Sequence, residues 1–131
     1  MSRALPPLDP IIARHGGVQE ARAALGRTAR SRISLRASRA MMLAAKLERR
    51  EGDIEAARSW FRRAAVTGPR QLRQNAVYRL GHLEEEQGRT AEAEELYRQV
   101  AADGSALFAP LAKYDLCHAR ARSTTTRMCS T

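Results

Sequence analysis

The chain has 131 residues, 44% of them apolar and 28% charged, with a formal net charge of +9. This composition fits one folded domain with a modest core and excludes a disordered chain. No stretch approaches the roughly 20 apolar residues of a membrane span, and the N-terminus lacks the apolar run of a secretory signal, so a soluble cytoplasmic protein is expected. Cys117 and Cys129 carry no partner motif. Neither a disulfide framework nor a zinc site is expected from them, and a reducing compartment fits that reading.

In chain order, Pro6, Pro7 and Pro10 exclude a long helix from residues 1–15, although Asp9 and Pro10 suit the cap of one short turn through Ile11, Ile12 and His15. Helical periodicity then predicts helices over about 18–30, 36–51, 53–67, 71–87, 89–103 and 107–122. Residues 123–131 are short, polar and aperiodic, and a disordered tail is expected there. The expected organisation is a proline-containing segment at 1–15, a helical-repeat domain at 16–122 and the tail.

A repeat underlies this pattern. Gly16, Gly52 and Gly88 are evenly spaced (52 − 16 = 36 and 88 − 52 = 36), and each opens a similar segment. Ala21, Ala57 and Ala93 share one register of it; Leu25, Phe61 and Tyr97 share another, four residues on. A small and a large residue at i and i+4 lie on one helix face. Upstream of the second and third glycines, Met41, Ala44 and Leu47 align with Val77, Leu80 and Leu83, marking a second amphipathic helix in each unit. Each unit therefore reads as helix, tight turn, helix, with Asp53 placed to cap the helix after Gly52. The buried set expected from the pattern includes Leu43, Ala44, Leu47, Ala57, Phe61, Ala64, Leu80, Leu83, Ala93, Tyr97, Val100 and Leu116.

The order Ala45, Gly52, Ala57, Phe61, Ala64 and Pro69, followed by Leu80, Gly81, Gly88, Ala93 and Tyr97, resembles tetratricopeptide repeats. Trp60, Phe61, Ala64, Ala65 and Gly68 are similar to the closing pattern of Sel1-like repeats. The resemblance spans about residues 16–122. It implies an all-α fold, a short right-handed α-solenoid of about six helices in antiparallel hairpins. It also implies ligand contacts on a concave face lined by the first helix of each unit. On this chain those positions are Arg39, Met42, Lys46 and Arg49, then Asn75, Tyr78, Arg79 and His82, and finally Tyr114 and His118.

The pairs Tyr78/His82 and Tyr114/His118 are equivalent, one repeat apart. Two readings of them stay open: a partner surface of aromatic rings beside cations, or inter-helix packing inherited with the repeat. Arg22, Arg27, Arg30, Arg32, Arg36 and Arg39 form a run with no acidic residue between Ala21 and Leu47, where nucleic acid would bind if it binds at all. A solvated face, or an arginine content set by codon usage, is the plainer reading of that run. The expected function is a non-enzymatic module that binds a peptide or acidic segment of a partner protein, with nucleic-acid association as the alternative.

Catalytic motifs are missing from the sequence. There is no phosphate-cradling glycine loop, nucleophile elbow or His-Glu metal helix, and no cofactor or metal is expected. Glu84, Glu85 and Glu86 diverge by about 100° each around a helix, and Cys117 falls in a buried register as an inert thiol. The incomplete first and last units predict a homodimer through end helices. In this reading Val18, Ala21, Leu25 and Ala29 lack cover at one end, as do Leu107, Leu111 and Leu116 at the other.

Overall fold

The computed structural model describes residues 6–104 and 108–124, with side chains placed as far as residue 118. It contains seven helices and, among the described residues, no strand: α1 (Leu8–His15), α2 (Val18–Thr28), α3 (Ser34–Arg50), α4 (Ile54–Ala64), α5 (Arg70–Glu86), α6 (Thr90–Asp103) and α7 (Phe108–Thr124). The chain divides into two compact units, one ending at Arg73 and the other starting at Gln74.

The expected period is written in the backbone. The amide of Gly17 bonds to the carbonyl of Ile12 at 3.0 Å, that of Asp53 to Glu48 at 2.9 Å and that of Arg89 to Glu84 at 2.9 Å. The same bond thus closes the same turn at 36-residue intervals. Each turn passes through a glycine in the left-handed region: Gly16 at φ 91°, Gly52 at φ 88° and Gly88 at φ 77°, a conformation that costs residues with a Cβ about 1 kcal/mol or more. After Gly52, the Asp53 side chain accepts from the Ala56 amide at 3.1 Å and caps α4 as expected.

In the first unit α3 packs on both α2 and α4, which enclose its middle. Six consecutive residues, Ala40 to Ala45, are buried. Phe61 and Ala64 of α4 are likewise enclosed, and Ser38 donates from Oγ to the Thr67 carbonyl at 2.8 Å. In the second unit Ala93, Tyr97 and Val100 of α6 form a core with Phe108 and Ala112 of α7, flanked by Val77, Tyr78, Ala101 and Leu116. Each large side chain fully buried in this way contributes roughly 1.5–3 kcal/mol.

Three expectations need correction. The N-terminal segment forms more than one turn: α1 is an eight-residue helix whose Leu8 and Ile11 are buried, and it packs on α2 and α3. Pro7 is its extended N-cap and Pro10 lies in its first turn, where no intrahelical N–H is required. The described residues thus hold seven helices where about six are expected. With α1 in place, Ala21, Leu25 and Ala29 are buried within the chain itself, which removes the uncovered N-terminal face from the argument for dimerisation. At the other end Leu111 is exposed and Leu116 half-buried, while Leu107 and most of the tail expected at 123–131 lie outside the described residues.

Candidate functional site

The arginine run of the first unit separates into two kinds. Arg22 leaves α2 to meet Glu48 of α3 in a two-pronged contact, Nε to Oε2 at 2.9 Å and Nη2 to Oε1 at 2.9 Å, while Gln19 accepts from its remaining nitrogen at 2.8 Å. Glu48 is buried, so this contact neutralises a carboxylate inside the helix pair. The hydrogen bond raises the Arg22 guanidinium still further above its ordinary value. Arg27, Arg30, Arg32, Arg36 and Arg39 are all exposed, and no carboxylate pairs with them among the described residues. The absence of acids between Ala21 and Leu47 is therefore offset at Arg22 alone.

Arg36 and Arg39 stand at the edge of a cleft of about 360 Å³, whose other walls are Leu25 and Thr28 of α2 and Ile33, Leu35, Ala40 and Leu43 along the start of α3. Ile33 and Leu35 are 57% and 44% exposed. A mostly apolar floor with a cationic rim thus forms an open concavity in this unit.

Among the other expected contact residues of α3, Arg49 is exposed and Lys46 half-buried. Met42 is fully buried. It offers a partner nothing, because α3 is enclosed at that level rather than open along one stripe. Asn75 is a second correction: it is buried, and its Oδ1 accepts from Arg79 Nε at 2.8 Å. Its visible work is to orient the half-buried Arg79.

In the second unit Tyr78 and His82 turn inward on Asp115. The Tyr78 hydroxyl donates to Asp115 Oδ2, and His82 Nε2 lies 3.2 Å from the same oxygen. The Tyr78 ring meets His82 edge-on at 4.8 Å between centroids and Phe108 at 5.7 Å, and Tyr97 lies 5.5 Å from His82. The Tyr97 hydroxyl donates to Glu85 at 2.8 Å. Burial, then the bond to Asp115, pushes the Tyr78 phenol well above its ordinary range; burial, then the charge of Asp115, does the same to Tyr97. Tyr78 and His82 are thus fastened to α7, as the packing reading has it. Tyr114 and His118 differ from them, being exposed, with their rings tilted against each other at 4.2 Å between centroids.

Sequence reasoning missed Asp115. A signal for it exists, because Asp115 is the sole acidic residue after Asp103, set in a segment otherwise apolar, polar or basic. The expectation of a buried Cys117 is also corrected: it is half-buried. Among the described residues no group of three or more His, Cys, Asp or Glu could hold a metal ion, and no helix is long and apolar enough to cross a membrane.

Helix pairs closed by a recurring glycine turn define a helical-repeat protein. Comparison with known families agrees: residues 13–71 and residues 75–102 each match a tetratricopeptide repeat model, and the chain belongs to the tetratricopeptide repeat family. No curated protein and no solved structure matches it.

Proposed function

We propose that this chain is a non-catalytic interaction module that holds an acidic segment of a partner protein. The observation that carries this reading is the set of five exposed arginines at 27, 30, 32, 36 and 39, which meet no carboxylate among the described residues, beside the Arg22 that does. Exposed guanidinium groups suit carboxylates in geometry as well as charge. Arg39, Lys46 and Arg49 of the first unit are the proposed contacts, and Tyr114 with His118 forms a separate exposed patch on the second. Tyr78, Arg79 and His82 support the fold of their own unit before they touch a partner.

Phosphate chains are disfavoured as the occupant, because no aromatic residue lies between Ala21 and Arg50 for bases to stack on. Fluorescence anisotropy with a labelled Glu-rich peptide, and with a single-stranded RNA of matched charge, tests the reading. The peptide is expected to bind and to be lost on the triple change Arg32→Glu, Arg36→Glu and Arg39→Glu. Binding of the RNA alone would reverse the assignment. Self-association through α7, whose Leu111 and Tyr114 are exposed, is a separate proposal that sedimentation at tens of micromolar decides.

A further inference from the structure

Charge and exposure are divided between the two ends of the first unit. Its six acidic residues are Asp9, Glu20, Glu48, Glu51, Asp53 and Glu55, and all belong to the end that carries the glycine turns. Five of them lie within four residues of Gly16 or Gly52, and Asp9 pairs with Arg50 in the last turn of α3 at 2.6 Å. The opposite end is built from the connection between α2 and α3 and from the turn that follows α4. These two are packed together: Ser38 donates to the Thr67 carbonyl at 2.8 Å, and a Cβ on Gly68 would collide with Ser38 and lie 3.2 Å from the Ser34 carbonyl oxygen. No acidic residue occurs from Ala21 to Leu47 or from Ala56 to Leu83, and positions 1–5, 105–107 and 125–131 contain none either. Arg27, Arg30, Arg32 and Arg36 surround the first connection and Arg62 and Arg63 precede the second, all of them exposed. Three large apolar side chains stand in the open among these arginines: Ile33, Leu35 and, at 81% exposure, Val66.

We infer that this end is a membrane-contact surface, on which the first unit docks end-on against a bilayer leaflet rich in anionic phospholipid. The arginines take the lipid phosphates, while Ile33, Leu35 and Val66 enter the boundary between headgroups and acyl chains. Two observations favour a lipid plane over an acidic polypeptide here. The acidic-partner reading places its contacts along α3 and leaves Val66 without a role, whereas a plane meets the apolar side chains of both connections together. Charge is also segregated along the helix axes, with every acid of the unit at the far end, so the field of a charged plane turns the arginine end toward it. A short peptide gains nothing from that orientation. Ile33 fits the same account: it is the N-cap of α3, where Asp, Asn or Ser is strongly preferred, and it makes no cap bond there. The inference goes beyond the acidic-partner reading and does not rest on it, although both use Arg32 and Arg36.

The test is co-sedimentation of the full chain with vesicles of equal parts phosphatidylcholine and phosphatidylglycerol, set against vesicles of phosphatidylcholine alone. Binding is expected to the anionic vesicles only, and it should weaken as salt is added. Arg32→Glu and Arg14→Glu change the net charge equally at opposite ends of the unit. The first is expected to weaken binding roughly tenfold or more, and the second much less. The double change Ile33→Ser with Val66→Ser leaves the charge intact; it is expected to weaken vesicle binding roughly fivefold or more while the Glu-rich peptide binds as before. All four side chains are exposed, and thermal melts check that the variants fold. Equal losses from the two arginine changes overturn the inference, because net charge alone then explains the binding. Undiminished binding of the serine double variant overturns it by removing the apolar contact. Absence of vesicle binding overturns it as well, and peptide binding in that case leaves the acidic-partner reading standing by itself.

Discussion

The backbone of α5 at Gly81 lies so close to the ring of Tyr97 that a Cβ there would come within 2.6 Å of Tyr97 Cε1. In the preceding repeat the same two registers hold Ala45 and Phe61, so the smaller residue accompanies the larger ring. Gly81→Ala adds helix propensity, worth about 0.5–1 kcal/mol, but Tyr97 is fully buried and tethered through its hydroxyl to Glu85, so its ring has little room to yield. A net loss of about 1–3 kcal/mol is expected from overpacking, read as a lower urea midpoint. A more stable Gly81→Ala variant would mean that this approach is looser than described.

Arg22 and Glu48 form a two-pronged ion pair in the first unit, with Glu48 almost fully enclosed and Arg22 about one-third exposed. Removing the arginine leaves a buried carboxylate without its main partner, while removing both leaves an apolar contact. Arg22→Met is therefore expected to destabilise by about 1–3 kcal/mol, and the double change Arg22→Met with Glu48→Leu by less. A double-mutant cycle of chemical denaturation measures the coupling.

The phenols of Tyr78 and Tyr97 are held above their ordinary value, chiefly by burial and then by Asp115. Their folded-state pKa values exceed the unfolded value near 10, so the unfolded chain releases these protons first as pH rises. The stability they contribute is complete below pH of about 10 and is lost progressively above it. Urea melts from neutral pH into the alkaline range should show this fall, and Tyr78→Phe should make it shallower while lowering stability at neutral pH through loss of the bond to Asp115.

Ile33 caps α3 without a side-chain bond. Ile33→Asp is accordingly expected to raise stability by about 0.5–2 kcal/mol, through a carboxylate that accepts from the first amides of α3 and suits the positive end of its dipole. A rise in melting temperature checks this expectation.

Much of the architecture was legible in the sequence. The glycine period set the turns, and the small and large registers at Ala57 with Phe61 and at Ala93 with Tyr97 marked helix faces that are fully buried. Helix α1 was read only as a turn, because three prolines outweigh a short amphipathic pattern unless their positions at a cap and in a first turn are recognised. The candidate site was less legible. Assigning Met42 and Asn75 to a surface assumed that each first helix keeps one open stripe, whereas α3 is enclosed around its middle. Contacts such as Arg22 with Glu48 and His82 with Asp115 join helices 26 and 33 residues apart, and no local periodicity reports which side chains meet across such a gap.

Chemical-shift mapping of the isotope-labelled chain during titration with the Glu-rich peptide tests the central claim most directly. The account predicts saturable shifts confined largely to the amides of Leu25, Thr28 and residues 33–43, with the Arg36 and Arg39 side-chain signals moving in step. Shifts absent from that stretch, or centred instead on α5 and α6, would contradict it.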